Sequence, residues 1–338
     1  MPNFTISNLV KAQAILAERF RQPEMRPPAA PVTLLGMRNN EMILPSHSTL
    51  RTREDRPVSA YLFKRTKRTP GSSRTYNHSG DRGDSIGVDL SWSTISDTFS
   101  ISIKQLDNNV FGFEQALANL IQNAAININD AIEEMLVTYL IAQRTQVNAA
   151  TKGGTFNTAN YAFEISDADK QLFFQRIGSM MRQNDYRGSY DLIADPIIYS
   201  SAQYLASQGT MNGTNYGFQF GGLNIAESIR LDDANYPKGV ALALPENQFG
   251  ILDWIPRQNR RGEGDYNSYV GGYGSMVDPM GSGMTFAVHG YQQRADTSTQ
   301  NGDTQDVVIE FELSVDISPL IAPLSTAPES VVFEVAQV

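Results

Sequence analysis

The sequence predicts an α+β fold, on three observations. Strict two-residue alternation near residues 58–63 and 86–103 reads as strands. Residues 113–147 repeat apolar side chains at three- and four-residue steps with no Gly or Pro, which reads as one long helix. A further alternating pair, Met284–Gln292 and Val307–Asp316, closes the chain, so strand pairs flank a mixed middle region. The chain has 338 residues, 41% of them hydrophobic and 19% charged, enough apolar material to offset the ordering of a core. That length suits two lobes.

Residues 7–20 place Leu9, Ala12, Leu16 and Phe20 at helical spacing behind a Ser7 or Asn8 cap. Pro23, Pro27, Pro28 and Pro31 then forbid helix and favour extended chain, so the first fifty residues read as an arm. Val58, Ala60 and Leu62 alternate with Ser59, Tyr61 and Phe63. On the returning half, Ile86, Val88, Leu90 and Trp92 share one face. Phe99, Ile101 and Ile103 share the other, so a bulge or bend is expected near Ile95–Asp97. Between the halves lies a Gly-, Ser- and Arg-rich tip. The whole is a long β-ribbon, marginal alone in water and in need of a surface to lie on.

On the long helix, Phe113, Leu117, Leu120, Ala124, Ile128, Ala131, Met135 and Tyr139 form the expected buried stripe. Its Asn- and Gln-rich flanks argue against a coiled coil. A second helix is expected near Ala168–Arg182, with Ser166 and Asp169 spaced as a capping box. The strand Tyr190–Ala194 leads into Asp195-Pro196, an N-cap followed by proline at the first helical position, and a helix to about Ala206. Strands are expected at Phe218–Phe220, Val240–Leu244 and Gly250–Trp254, a long Gly/Tyr loop over 262–283, and one more strand in the C-terminal tail.

Much chemistry is absent from the sequence. There are no cysteines, which removes disulfides, thiolate nucleophiles and Cys-type metal centres, and only three histidines, His47, His78 and His289. No stretch approaches the ~20 apolar residues of a membrane span. The N-terminus has no signal-peptide pattern, and no repeat period appears. The run 271–283 lacks a phosphate-loop pattern, and Lys152-Gly153-Gly154 is a plain loop. Asp296, Asp303 and Asp306 lack calcium-loop spacing. Glu133-Glu134 are helix neighbours that point apart, a poor acid/base pair. Arg82-Gly83-Asp84 is only a three-letter adhesion match, and Trp92 and Trp254 read as core. No catalytic, cofactor or metal constellation remains, and the chain reads as a non-enzyme.

Charge is the informative feature. The net charge is -9, yet Arg51 to Arg82 holds nine Lys/Arg (Arg51, Arg53, Arg56, Lys64, Arg65, Lys67, Arg68, Arg74, Arg82) against Glu54, Asp55 and Asp81. That window is +6, so the remainder is -9 minus +6, or -15. A basic ribbon on an acidic body points to nucleic acid or to another copy of the body. Tyr76 is the one aromatic in the tip, too few for base stacking, so docking on an acidic neighbour is the favoured reading.

This order of arm, ribbon, spine helix, compact α/β region and closing β-pair resembles the major capsid proteins of tailed bacteriophages with the HK97-like fold, which encapsulin shells share. The likeness covers nearly the whole chain and rests on element order. Its most specific stretches are FGFEQALANLIQNAAININDAIEEMLVTYLIAQRTQV, YDLIADPIIYSSAQYLASQGTMNGTNYGFQFGGLNIAESIRL and IEFELSVDIS. The resemblance implies an N-terminal arm over 1–50, an extended ribbon loop over 51–106, a peripheral domain over 107–185 and 284–338, and an axial domain over 186–283. It implies a virion protein assembled in the bacterial cytoplasm as pentamers and hexamers. Its partners would be a portal, a separate scaffolding protein and DNA held by weak, non-specific contact, with no membrane. Ribbon contacts to a neighbour would come from Arg56, Lys64, Arg65, Lys67, Arg68, Arg74 and Arg82. Axial contacts would come from Tyr266, Tyr269 and Tyr273, and any cross-link lysine would be Lys64 or Lys67. An encapsulin-type compartment and a β-rich decoration or adhesion protein are the alternatives.

Overall fold

The computed structural model of the protein describes residues 6–20, 31–44, 46–63, 74, 85–102, 112–144, 154–184, 186, 188–207, 217–220, 222–295, 306–321 and 332–338. Helices α1 (Ile6–Arg19), α2 (Pro31–Ile43) and α3 (His47–Arg51) precede strands β1 (Ser59–Phe63), β2 (Ser85–Asp89) and β3 (Ser93–Ser102). The spine helix α4 (Phe113–Ala142) follows. Next come β4 (Thr155–Asn157), β5 (Ala162–Ile165), a 3-10 turn Asp167–Leu172, α5 (Phe173–Gln183), β6 (Tyr190–Ala194) and α6 (Pro196–Ser207). The chain continues through β7 (Gly217–Phe220), β8 (Leu223–Glu227), β9 (Val240–Pro245), β10 (Phe249–Trp254) and α7 (Arg257–Arg261). Strands β11 (Gly264–Asp265), β12 (Gly271–Val277), β13 (Thr285–Ala295), β14 (Asp306–Ile321) and β15 (Phe333–Gln337) complete it.

These strands form a two-stranded ribbon and two larger sheets. The seven-stranded sheet is mixed, in the order β4-β5-β15-β9-β6-β8-β7. In the six-stranded sheet, β14 pairs antiparallel with β3 over Val308–Ile317, with β13 over Asp306–Ser314 and with β10 over Asp316–Ile321. The main core lies between α4 and one face of that sheet, where α1 and α2 also pack. A second core sits between α5, α6 and the seven-stranded sheet. A third, smaller one buries Ala60 and Leu62 of β1 against Leu44, Leu50, Leu252 and Leu320.

Several expectations hold closely. Tyr190–Ala194 is a strand, and Asp195 caps α6: one oxygen accepts from the Ile198 N–H at 2.7 Å. Its other oxygen accepts from the Val240 N–H at 3.0 Å, so the cap also ties α6 to β9. The spine runs 30 residues, about 45 Å at 1.5 Å per residue, and ends at Ala142; residues 145–147 lie outside the described set.

Others are corrected. Of the expected α4 stripe, Leu117, Ala124 and Ile128 are buried and Phe113, Leu120, Met135 and Tyr139 pack against the core, while Ala131 is exposed; the buried face extends further round the helix to Ile121, Ala125, Asn129, Ile132, Glu133 and Leu136. A 3.6-residue period leaves the width and centre of a buried face open, and the packing partners fix them. The expected bulge at Ile95–Asp97 is absent, because β3 pairs with β14 in unbroken register. The change of face falls instead at 90–92, where the chain leaves the ribbon for the sheet. The helix near 168–182 begins as a 3-10 turn. Ser166 accepts from the Ala168 N–H, and Asp169 turns to Arg176 at 2.8 Å rather than closing the capping box.

Residues 31–51 are not arm: α2 and α3 lie inside the fold, and α1 buries Leu9, Ala12, Leu16 and Phe20 against the main core. The Gly/Tyr stretch 262–283 is not a loop, because β12 runs through it and pairs with β13. The boundaries also move. Strands β10 to β12 belong with β3, β13 and β14, while the C-terminal β15 inserts between β5 and β9 in the other sheet. Alternation identifies a strand but not its partner.

Candidate assembly surfaces

The ribbon is rooted by residue type. Strands β1 and β2 pair from Ser59↔Asp89 to Phe63↔Ser85, with Ala60 and Leu62 buried on one face. On the other, Tyr61 is 68% exposed and lies over Gly87. Residues 51–57, which lead into it, are held by polar contacts at nearly every step. The Trp92 indole N–H donates to the Pro57 carbonyl at 2.6 Å, and that of Trp254 to the Arg53 carbonyl at 3.1 Å. Arg51 pairs with buried Asp253 at 2.6 Å, and Arg257 with Glu54 at 2.7 Å. Arg260 donates to the carbonyls of Arg51 and Arg53 and lies over the Trp254 ring.

The cations expected to reach a neighbour divide accordingly. Arg56 pairs with Asp316 of its own chain at 3.5 Å and lies 6.0 Å over the Trp92 ring, so it fastens the root instead. Arg74 is exposed. Lys64, Arg65, Lys67, Arg68 and Arg82 lie outside the described residues, and with them both cross-link lysines.

The three tyrosines also separate. Tyr266 is buried and is not a contact residue. Gly272, Gly274 and Gly290 leave a trough on the inner sheet face that its ring fills; a Cβ on any of the three would stand 2.5–2.9 Å from the tyrosine. Larger side chains there would displace it. Tyr269 is exposed at the turn before β12. Tyr273 stands on the outer face and stacks on His289, with centroids 4.7 Å apart.

Buried carboxylates join the parts, a feature missed in the sequence. Glu133 of α4 accepts from the Val32 N–H in the first turn of α2 at 3.2 Å, serving a donor that has no partner within the helix. Burial pushes Glu133 up to about 7, against the Ser228 hydroxyl and the Val32 and Thr33 amides, which favour the charged form. Asp253 is raised by burial and eased by Arg51 and His47. Glu334 of β15 is raised by burial while Arg144, just past the spine, pairs with it. Asn129 donates to Asp278 at 3.2 Å, linking spine to the β12–β13 turn. A Glu or Asn inside an apolar stripe was the available signal.

Glu133 sets a pH dependence. Its folded value, about 7, exceeds the unfolded 4.5. The stability from protonated Glu133 is therefore complete below about pH 4.5 and lost as pH rises to about 7. Relative to Glu133→Gln, the native chain is expected to lose up to about 3 kcal/mol across that window, read from denaturant melts at pH 5 and 8. Parallel pH profiles for the two proteins would refute this.

Among the described residues, no group of three His, Asp or Glu side chains is placed to hold a metal, and no helix is long and apolar enough to cross a membrane.

No family model matches the chain, and no curated protein does. Solved structures do. A chain of the Cyanophage A-1(L) capsid asymmetric unit aligns over 91% of this chain and 92% of its own, at TM-score 0.51 and 12% identity. Mycobacterium phage Cain aligns over 88% and 90%, at TM-score 0.47 and 9% identity. The capsid of Ralstonia phage GP4 aligns over 82% of each chain, at TM-score 0.45 and 9% identity. The A-1(L) match establishes that the chain has the α+β, HK97-like fold of a phage capsid structure.

Proposed function

We propose that this chain is a major capsid protein: many copies close into an icosahedral shell around a double-stranded DNA genome. One observation carries the reading. Over nine-tenths of its length the chain shares the fold of a phage capsid chain, and it spends that fold on a rooted ribbon and buried structural carboxylates. The two sheets and the spine share one hydrophobic core and supply the body. The ribbon supplies a basic extension whose root is fixed and whose open face, with Tyr61, remains to be covered.

On this reading the subunits form pentamers and hexamers, assembled in the bacterial cytoplasm with a portal and a separate scaffolding protein. The excess of acid over the body keeps contact with packaged DNA weak. With no cysteine available, the shell is held by topology and buried area. Negative-stain microscopy of the purified protein over a range of protein and salt concentrations is the test. Closed icosahedral shells are expected; small discrete oligomers under every condition would overturn the reading.

A further inference from the structure

Where the 3-10 turn and the start of α5 run past α6, the second core leaves a groove of about 740 Å³. Buried Phe173, Phe174 and Ile198 line it from below. Along α6 its wall is Ile197, Ser200, Ser201 and Tyr204, which steps of three and four residues set on one stripe about 10 Å long. Ile197 and Tyr204 at the two ends of the stripe are exposed, as is Leu172 on the other wall. Between them Ser200 and Ser201 donate back to the Ile197 carbonyl at 2.8 and 3.0 Å, so neither hydroxyl needs an outside acceptor. The stripe is therefore a shallow notch between two large apolar side chains.

One end of the groove is basic. Lys238 lies there because its neighbour Gly239 sits against Ile198 at the start of α6, and Lys170 comes from the 3-10 turn. Lys170 pairs with Asp167 at 3.6 Å, and Asp167 also accepts from the Gln337 side chain at 2.8 Å. That amide and the two lysines hold the Asp167 carboxyl below its usual range. Lys238 itself has neither ion pair nor hydrogen bond among the described residues. The two lysines are the only charged side chains among the described residues that line the groove, on a chain whose net charge is -9.

We propose that this groove docks a short amphipathic helix of a different protein, apolar along one stripe for about two turns and acidic at the end that meets Lys170 and Lys238. Shape selects a helix. The small residues Ser200 and Ser201 between Ile197 and Tyr204 admit a ridge of side chains at i, i+3, i+4 and i+7, the pattern by which helices dock in grooves. An added strand would need a free sheet edge, and the walls here are helical. Charge selects the acidic end, since a neutral or basic helix would leave Lys238 without a counterion. The chain does not supply this helix itself. Its α1, α2 and α4 spend their apolar stripes on the main core, and α3, α5, α6 and α7 contain no Asp or Glu. The groove belongs to one subunit, so the proposal is independent of shell formation.

Two fluorescein-labelled helical peptides with the same leucine stripe test this, one with both terminal turns rich in Glu and the other in Lys. Fluorescence anisotropy with the full-length chain is expected to show the acidic peptide binding at least about fivefold more tightly than the basic one. Lys170→Glu/Lys238→Glu should reverse that preference. Ser201→Trp, which fills the notch, should weaken the acidic peptide at least about tenfold. All three positions are exposed, so both variants are expected to melt like the native chain. Should Ser201→Trp melt lower, the reversal of preference decides alone. No binding of either peptide, equal binding of both, or a preference that survives charge reversal would overturn the proposal. So would an assembly state that changes with Ser201→Trp while no peptide binds, which would assign the groove to a second copy. Anisotropy is read whether or not the protein closes into shells, so this result and the shell reading stand or fall separately.

Discussion

Replacing residues 64–84 by Asn-Gly is expected to give a subunit that folds and melts like the native chain yet does not close into shells. Register makes the replacement conservative: Phe63 and Ser85 are a cross-strand pair, and Asn-Gly is the preferred two-residue hairpin turn. The buried side chains of the root, Ala60 and Leu62, and the contacts of Trp92, Arg56 and Arg51 all lie outside the excised residues. The described contacts of the root are thus kept, and the expected loss is in association. A loss of about 3 kcal/mol per subunit contact lowers association roughly a hundredfold, and a closed shell repeats that loss at every subunit. Thermal melts test the first half and negative-stain particle counts the second. Normal shells from this variant would remove the ribbon from the mechanism.

The second large effect belongs to the other end of the chain. Ending it at residue 331 removes β15, which lies between β5, its parallel partner, and β9, its antiparallel one. Phe333, Val335 and Ala336 are buried, and Glu334 would no longer receive Arg144. Burial of Phe333 and Val335 is worth about 1.5–3 kcal/mol each, and each backbone hydrogen bond about 1 kcal/mol. With two strand edges exposed together, the total approaches the ~5–15 kcal/mol that separates folded from unfolded domains. The truncated chain is expected to be insoluble or to lack a cooperative melt by circular dichroism. A soluble protein melting within about 5 °C of the native chain would contradict the central place of β15.

Both expectations depend on features of different legibility. The ribbon's alternation, its basic charge, the uninterrupted spine and the Asp195-Pro196 helix start are local signals, each set by residues within a few positions of one another. Glu133 was legible only in part. Its neighbour Glu134 points outward as helix geometry requires, but nothing local announces that Glu133 faces the start of α2. Tyr266 was misread for the same reason. An aromatic in a glycine-rich stretch looks like a surface contact until Gly272, Gly274 and Gly290 are aligned beneath it by the pairing of β12 with β13. Arg56 and Arg51 counted as free cations in a charge sum, and their partners Asp316 and Asp253 are more than two hundred residues away.

The sequence by itself determined the spine helix, the ribbon strands, the Asp195-Pro196 helix start and the closing strand pair, where the positive charge is concentrated, and which chemistries are missing, because periodicity, capping and composition act over short distances; it did not reveal α2, α3 or β12. Tertiary structure decided which sheet each strand joins, how far round the spine the buried face extends, and which tyrosines and arginines remain available to a neighbour. Those choices are made by register and by the burial of charges between segments far apart in the chain, and a strand or stripe that satisfies its own period is compatible with several partners until one is packed against it.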